Sequence, residues 1–321
     1  MDLTLSADQR GLRDGLVALL EGEWPPGRLR AAADDPALGL TLWQRLGELG
    51  MFGVTVPQDR GGMGLGLTEA VILCEELGRF LVPGPLVPVL LTAGRVPGVM
   101  TGESVVALLD ERDGAAVVEH LPRATHLLVM ADSGLYLHPG DEVTTMPVDT
   151  PLDPLTPAAV VTGRRGPGER IGTAGDAALD RARGTVLTAA LQTGVARGAL
   201  DLAVRYAGER VQFGRAIGSF QAVKHLLADA LVAVDLARAA VLVAALTLDD
   251  PGCGDACEAV AAAKVLADTA ACAGGRTCVQ VHGGMGFTWE ALAHLYLKRA
   301  WVQETAFGTA DEHADLLART L

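Results

Sequence analysis

Four long helical patterns in the C-terminal part of this 321-residue chain constrain its fold more than any other feature. Apolar residues recur with the α-helical period in each pattern, and short joins separate them. Half of the residues are hydrophobic but only 4% are aromatic, a balance that suits helices packed closely through small side chains. The patterns therefore predict a helical bundle, with helices over about 187–212, 217–247, 255–281 and 288–306.

The first hundred residues or so predict a separate group of helices. Ser6 followed by Gln9 is a capping box, which predicts that a helix starts there. A second pattern places Leu42, Trp43, Leu46 and Leu49 on one helix face and ends at Gly50 and Gly53. A third helix is expected over LTEAVILCEELGRFL, after a glycine-containing loop.

The pattern changes in the middle of the chain, where short β-branched runs alternate with Gly, Asp and Pro. Such runs predict the strands of a small β domain. The predicted fold class is therefore mainly α with a small β domain. We expect an N-terminal helical domain over 1–100, a reduced middle β domain over 101–183, and a C-terminal four-helix bundle over 184–321. The runs are SVVALL, AVVEH, THLLVMAD, GLYLHPG and AVVTG.

The composition excludes several classes of partner. A formal net charge of −13 argues against nucleic-acid binding, because phosphate contacts need clustered Lys and Arg.

The N-terminus lacks a basic start followed by an apolar run, so no signal peptide is expected. The longest apolar stretch contains Asp229, Asp235 and Arg238 at helical spacing, which favours an amphipathic helix over a membrane span. The five cysteines match no zinc spacing, so we expect reduced thiols, no metal and a cytoplasmic protein.

The join between the first two bundle helices, GERVQFGRAIGSFQAVKH, carries more chemistry than a polar turn requires. Arg210 precedes Phe213 by three residues, so we expect both to leave a helix end on one face. An arginine at such a corner can bind a phosphate or pyrophosphate through its planar fork. Phe213 can lie against a flat heterocycle, and Gln221 can hydrogen-bond one. The residues alone also allow a helical hairpin in which Arg210 caps carbonyls and Phe213 fills the core.

A second motif, CVQVHGGMGFTWE, lies at the end of the third bundle helix. Gln280 is expected near the helix end, and Gly283 and Gly284 leave the backbone open to a ligand. A tight turn uses the same glycines, so the cluster alone leaves both interpretations open. DEHAD near the C-terminus looks like a metal cluster, but on an exposed last helix we expect it to be solvated.

Together these two motifs resemble the C-terminal bundle of the acyl-CoA dehydrogenase family, and LWQRLGELGMFGVTVPQDRGGMGLG resembles its first helical domain. The order of helices, strands and helices agrees with that family. The resemblance implies FAD as the cofactor, extended across a subunit interface. It also implies that Arg210 holds the pyrophosphate of a neighbouring subunit's FAD. The positions that would line the adenosine half are Phe213, Gln221, Gln280, Gly283 and Gly284.

The positions implied for catalysis depart from the family. The implied reaction is α,β-dehydrogenation of an acyl-CoA thioester, in which a carboxylate removes the α-proton while hydride passes to the flavin. Phe307 stands where many members carry the glutamate base, and the alternative position falls near Gly184. Glu304 and Asp180 are the nearest carboxylates, but a base displaced by a helical turn should miss its proton. The Thr-Glu-Pro and Gly-Ser-Asp segments that normally cover the flavin ring are missing.

Three functions remain open from the sequence. The first is a non-catalytic, FAD-clamping subunit of a heterotetramer, whose homologous acyl-CoA dehydrogenase partner supplies the base and the flavin-ring pocket. The second is a self-sufficient homo-oligomeric dehydrogenase with Glu304 or Asp180 as base. The third is a redox-inactive binding or scaffold protein. The resemblance also implies a bulky acyl-CoA substrate, as in lipid or steroid catabolism, and an electron-transfer flavoprotein as acceptor.

Overall fold

The computed structural model describes residues 3–113, 117–164 and 166–320. The chain divides into two compact units. The first comprises the described residues of Met1–Pro26, Val71–Val82 and Val186–Leu321, and the second comprises Gly27–Ala70 and Pro83–Thr185. The division into three domains at 100/101 and 183/184 remains a prediction.

The N-terminal helices begin and end largely as their caps predict. The Ser6 hydroxyl accepts a hydrogen bond from the Gln9 N–H at 3.1 Å, and the Gln9 side chain accepts from the Ser6 N–H at 2.9 Å, which confirms the capping box. Leu42, Trp43 and Leu46 are buried as the shared face predicts, but Leu49, which follows the last helical residue Glu48, is 49% exposed and does not pack with them. The helices are α1 (Ala7–Glu23), α2 (Pro26–Asp34), α3 (Gly39–Glu48), α4 (Leu67–Arg79) and α5 (Leu86–Thr92).

Two small sheets form the β part of the second unit. Strands follow the order β1-β3-β4-β7 in one sheet, with β1 and β3 parallel and the other pairs antiparallel. The other sheet has the antiparallel order β2-β6-β5. Ala107, Val118 and Leu127 belong to one buried cluster that draws on both sheets. The strands are β1 (Val106–Asp110), β2 (Val117–Glu119), β3 (His126–Ala131), β4 (Gly134–Pro139), β5 (Val143–Pro147), β6 (Ala158–Arg164) and β7 (Glu169–Gly172).

All five β-branched runs contain a strand, but β5 and β7 were not predicted. Most residues of β5 are exposed, so the strand lacks the apolar alternation that marks a half-buried strand. β7 has four residues and no buried one, so it too leaves little trace in the sequence. Both strands form because neighbouring strands offer hydrogen-bonding edges, which local composition does not encode.

The helical bundle belongs to the first unit from Val186 onwards and is packed through small residues. A Cβ added at Gly194 would lie 1.9 Å from the carbonyl oxygen of Glu75, and one at Gly78 would lie 2.1 Å from that of Leu191. Glycine therefore allows α4 and the first bundle helix to touch backbone to backbone. The helices are α6 (Ala174–Glu209), α7 (Gln221–Asp249), α8 (Ala256–His282), α9 (Ala293–Gln303) and α10 (Ala310–Thr320).

Helix α7 has one packed face and one open face. By length and composition alone, it is the one helix among the described residues that could cross a membrane. Its Arg238 forms an ion pair with Glu75 of α4 at 3.1 Å. On the open face, Val232 and Leu236 are 59% and 54% exposed. An apolar helix face of this kind is typical of surfaces that are covered in an assembly.

Candidate functional site

The join after α6 is a β-hairpin, not a continued helix. Helix α6 ends at Glu209, and the strands β8 (Val211–Gln212) and β9 (Arg215–Ala216) pair antiparallel. The two residues between them, Phe213 and Gly214, have φ angles of 53° and 77°. Two successive positive φ angles are the signature of the tight hairpin turn that suits twisted strands. The prediction that Arg210 and Phe213 leave a helix end on one face is therefore wrong.

Phe213 is displayed at the tip of this hairpin. Its side chain is 92% exposed, and its closest ring contact is edge-on to Phe220, with centroids 6.1 Å apart. A positive φ is unfavourable for a bulky aromatic residue, and such strain concentrates at binding sites. The alternative in which Phe213 fills the core is therefore wrong. The ring is free to lie against a ligand or another chain.

Arg210 has a fixed backbone and an open side chain. Its N–H donates to the Tyr206 carbonyl at 2.8 Å, and its own carbonyl accepts from the Ile217 N–H at 2.8 Å. Its guanidinium is exposed, without a hydrogen bond or ion pair in the described part of the chain. The neighbouring Arg215 differs, because its guanidinium lies 4.0 Å from the centre of the Phe220 ring. Arg210 thus resembles a ligand-binding arginine more than a structural one.

The glycine motif lies at the C-terminal end of α8 and is also open. Gly283 has a φ of 61°, and a Cβ placed on Gly283 or Gly284 would meet nothing within 4 Å. Gln280 is exposed on the last turn of α8. The His282 Nδ1–H donates to the Cys278 carbonyl at 2.7 Å, which fixes the imidazole ring. Bare backbone beside an exposed amide leaves room for the close approach of a polar ligand.

An aromatic contact brings the two motifs to the same end of the bundle. Tyr206, in the last turns of α6, stacks on His282 at the end of α8, with ring centroids 4.1 Å apart. Gln221, exposed as the first residue of α7, belongs to the same join as Arg210. The structure therefore groups the hairpin, the start of α7 and the glycine loop, although they are distant in sequence.

Phe307 occupies a strained corner between α9 and α10. Its φ is 57° and that of Gly308 is 91°. Its carbonyl accepts a hydrogen bond from His313 Nε2 at 2.9 Å. The phenyl ring is partly buried and offers no proton acceptor. The corner therefore keeps a specific main-chain shape at a position whose side chain cannot act as a base.

The two candidate carboxylates are both engaged in the fold. Glu304 directly follows α9, and its carboxylate is close enough to Cys272 to contribute to the raised pKa of that thiol. Asp180 is 1% exposed, and Arg95 binds both of its carboxylate oxygens. Burial raises the pKa of Asp180, and Arg95 opposes this shift by stabilising the charged form. Their roles as catalytic bases remain predictions that no contact supports.

A buried polar network next to the Phe307 corner was missed by the sequence interpretation. Lys264 is 0% exposed, pairs with Asp268, and donates to the Glu304 carbonyl at 2.9 Å. Gln192 Nε2 donates to Asp268 Oδ1 at 3.2 Å and to the Ala300 carbonyl at 3.0 Å. Burial raises the pKa of Asp268 to about 6 and lowers that of Lys264. The sequence signal was a rare lysine inside an apolar helix, four residues before an aspartate.

Asp311, Glu312 and Asp315 of the DEHAD segment are exposed, as expected, but His313 departs from that expectation. Glu312 accepts hydrogen bonds from the N–H and the hydroxyl of Thr309, so it caps α10. His313 is buried and binds the Phe307 carbonyl. Within the described residues there is no group of three or more His, Cys, Asp or Glu that could hold a metal ion. Of the cysteines, Cys253 and Cys257 are exposed free thiols.

Comparison with known proteins places this chain in a family. The acyl-CoA dehydrogenase N-terminal domain profile matches residues 6–96, and the C-terminal domain profile matches residues 175–321. Acyl-CoA dehydrogenase IpdE2 of Mycolicibacterium smegmatis is 35% identical over 305 residues, which cover 92% of this chain and 93% of that protein.

Solved structures share the fold over nearly the whole chain. The ChsE4-ChsE5 complex from Mycobacterium tuberculosis matches with a TM-score of 0.84 and 23% identity, covering 99% of this chain and 98% of that chain. A Tcur3481-Tcur3483 steroid ACAD variant matches with a TM-score of 0.84 and 26% identity, covering 98% of each chain. With an α–β–α fold, both terminal profiles and a relative of this identity, the chain belongs to the acyl-CoA dehydrogenase family.

Proposed function

We propose that this chain is the FAD-clamping, non-catalytic subunit of a heterotetrameric acyl-CoA dehydrogenase. The observation that carries the proposal is the exposed hairpin, where Phe213 is 92% exposed and the Arg210 guanidinium has no partner within the described residues. Both side chains lie away from the core of their own bundle. A clamp of this form is built to bind a group that is held mainly by another subunit.

Each clamp residue has a chemical task towards FAD. Arg210 binds the pyrophosphate through its planar fork, and the fixed backbone on either side lowers the entropy lost on binding. Phe213 would line the adenosine half of the cofactor. Gln221 and Gln280 supply hydrogen bonds, and the bare backbone of the glycine loop lets the nucleotide approach closely. When bound, FAD supplies the hydride acceptor for α,β-dehydrogenation.

The residues present fit this cofactor. A pyrophosphate needs a cation whose guanidinium is not already in contact with its own chain. Arg210 meets this requirement among the described residues, whereas the Arg215 guanidinium lies over the Phe220 ring. A nucleotide also needs space beside the backbone, and a side chain at Gly283 or Gly284 would meet nothing within 4 Å. This fit concerns the pyrophosphate and adenosine part of FAD. The β domain lacks the Thr-Glu-Pro and Gly-Ser-Asp segments that cover the flavin ring in the family.

The missing base supports a partner-dependent role. Phe307 cannot accept a proton, and Arg95 binds both carboxylate oxygens of Asp180. A base must reach the α-carbon of its substrate at hydrogen-bonding distance, and the pair with Arg95 holds the Asp180 carboxylate in the fold. Glu304 lies three residues before the position implied for the base. The homologous partner subunit therefore supplies the carboxylate and the flavin-ring pocket.

The relatives suggest the class of substrate and the assembly. IpdE2 is named an acyl-CoA dehydrogenase, and the two solved neighbours are complexes of two different proteins, one of them described as a steroid ACAD. By analogy, we propose an acyl-CoA thioester with a bulky acyl group, of the lipid or steroid class. An electron-transfer flavoprotein is the proposed acceptor of the electrons.

Purification of the chain alone and after co-expression with a neighbouring homologue tests the proposal. We expect the lone chain to contain little FAD and to show no turnover, whereas the complex contains FAD and oxidises acyl-CoA. The measurements are the flavin absorbance per chain and acyl-CoA oxidation with an artificial electron acceptor. Full FAD occupancy and turnover by the lone chain would show that it is a self-sufficient dehydrogenase.

Two hairpin arginines provide a matched pair of variants. In the complex, Arg210→Ala should lower FAD affinity by about tenfold to a hundredfold, since a charge-assisted bidentate contact contributes about 1.5–3 kcal/mol. Arg215→Ala should leave FAD affinity nearly unchanged, because that guanidinium lies on Phe220 of its own chain. If Arg210→Ala binds FAD as the wild type does, the clamp is vestigial and the scaffold function is favoured.

A further inference from the structure

Three buried side chains from three different helices bind main-chain carbonyls at the end of α9 and in the corner that follows. Carbonyls beyond the end of a helix have no partner within the helix, so they need such donors when they are buried, whereas the Ala300 carbonyl also accepts from the Glu304 N–H. The donor and acceptor residues are Gln192 with Ala300, Lys264 with Glu304, and His313 with Phe307. The donors come from α6, α8 and α10, and together they hold one short segment of backbone.

Asp268 connects two of these donors. Its carboxylate pairs with Lys264 and accepts from Gln192 Nε2, and it is 1% exposed. A buried ion pair contributes little net stability, because desolvation of both charges offsets their attraction. An apolar pair would fill the same place in the bundle at no such cost. The charges are therefore better explained by the geometry that they impose on Lys264 and Gln192.

The backbone that this network holds is strained. Phe307 has a φ of 57°, which a bulky L-residue rarely adopts, and such conformations persist only where the surroundings over-determine them. Gln192 Oε1 and His313 Nδ1 are buried acceptors without a hydrogen-bond partner among the residues described. The cluster thus leaves two buried acceptors unpaired and a strained φ at Phe307, while its donors stay directed at the main-chain carbonyls.

We infer that Asp268, Lys264, Gln192 and His313 are positioning residues that fix the backbone of residues 304–308, in which Phe307 and Gly308 have positive φ angles. The corner then presents the side chain at position 307 in a single orientation. None of the four residues acts on a substrate; each acts through the main chain that it binds. This role in the fold holds whether or not the chain clamps FAD.

Hydrogen exchange of the purified chain tests the role. The amides of Glu304 and Ala306 donate to the carbonyls of Ala300 and Gln303, so they report on opening of the corner. The double variant Lys264→Met with Asp268→Leu replaces the ion pair by apolar groups of similar size. We expect these two amides to exchange roughly tenfold faster, while the amides of α1 are unchanged. Unchanged exchange at the corner would overturn the inference.

A glycine at position 307 separates positioning from simple stabilisation. Glycine adopts a positive φ without strain, so in Phe307→Gly the backbone at position 307 needs less restraint from the network. Loss of the ion pair should then accelerate exchange at the corner much less than it does with Phe307 present. Equal acceleration in the two backgrounds would show that the network is only structural, and would overturn the inference.

Single variants at His313 keep the test valid if the double variant does not fold. His313→Gln retains an N–H donor for the Phe307 carbonyl, whereas His313→Leu removes it. We expect wild-type exchange at the corner for His313→Gln and roughly tenfold faster exchange for His313→Leu. The same exchange rate in both variants would overturn the inference, because the hydrogen bond from position 313 to the Phe307 carbonyl would then not restrain the backbone of the corner.

Discussion

At the scale of single residues, Phe213 combines strain with exposure. Its φ of 53° costs free energy, and its ring buries little surface in its own chain. Asparagine tolerates the left-handed region, so Phe213→Asn should keep or raise stability by up to about 1 kcal/mol. The same change should lower FAD affinity in the complex, because it removes the exposed ring that we propose lines the adenosine half of the cofactor. Thermal unfolding and flavin titration measure the two effects.

Phe220 is the control for this prediction. It has an ordinary φ of −79°, is partly buried, and packs against Arg215. Phe220→Asn should therefore lower stability through lost packing and give no relief of strain. If Phe213→Asn destabilised the chain as much as Phe220→Asn does, the Phe213 ring would have a structural role that its exposure does not indicate.

At the scale of elements, the crossing of α4 and α6 depends on glycine. A Cβ at Gly194 would lie 1.9 Å from the Glu75 carbonyl oxygen, so Gly194→Ala must push the helices apart. We expect a loss of about 1–3 kcal/mol in the free energy of unfolding, measured in urea. Gly208→Ala, on the same helix with nothing within 4 Å, should instead stabilise by up to about 1 kcal/mol. Equal effects would mean that the crossing is looser than described.

The cap of α10 gives a prediction on pH. The Thr309 backbone N–H lowers the pKa of Glu312, with a further contribution from the Thr309 hydroxyl. The folded state therefore prefers the charged carboxylate, so this contribution is present above the usual glutamate pKa. It is lost as pH falls through the lowered value. Glu312→Gln should remove this part of the acid dependence, with a small effect because the carboxylate is exposed. Unfolding in urea at a series of pH values measures the difference, and parallel curves for the two proteins would contradict it.

At the scale of the whole molecule, the open face of α7 predicts assembly. Leu231, Val232 and Leu236 are each about half exposed, and a heterotetramer would cover them. Val232→Glu should prevent co-purification with the partner while leaving the chain folded, because burying an unpaired carboxylate in an interface is unfavourable. Light scattering of the co-expressed proteins measures the assembly. Met146→Glu, at an equally exposed residue of β5, should leave it intact.

Much of the fold follows from local patterns. The helical periods in the bundle, the capping box at Ser6 and the β-branched runs each depend on residues near one another in sequence, so the sequence alone predicted them. The two motifs that resemble an FAD clamp were also recognised from their residues. The strands β5 and β7 were not, because neighbouring strands and not composition determine them.

Helical period and short motifs are local properties, so the family, the helical bundle and the residues of the candidate clamp were recognisable from the amino-acid order. Tertiary packing places Phe213 on an exposed hairpin and directs His313 to the Phe307 carbonyl. It alone brought Gln192 to Ala300, which is 108 positions away along the chain. Such contacts depend on how helices pack, and packing is a property of the whole chain and not of any segment.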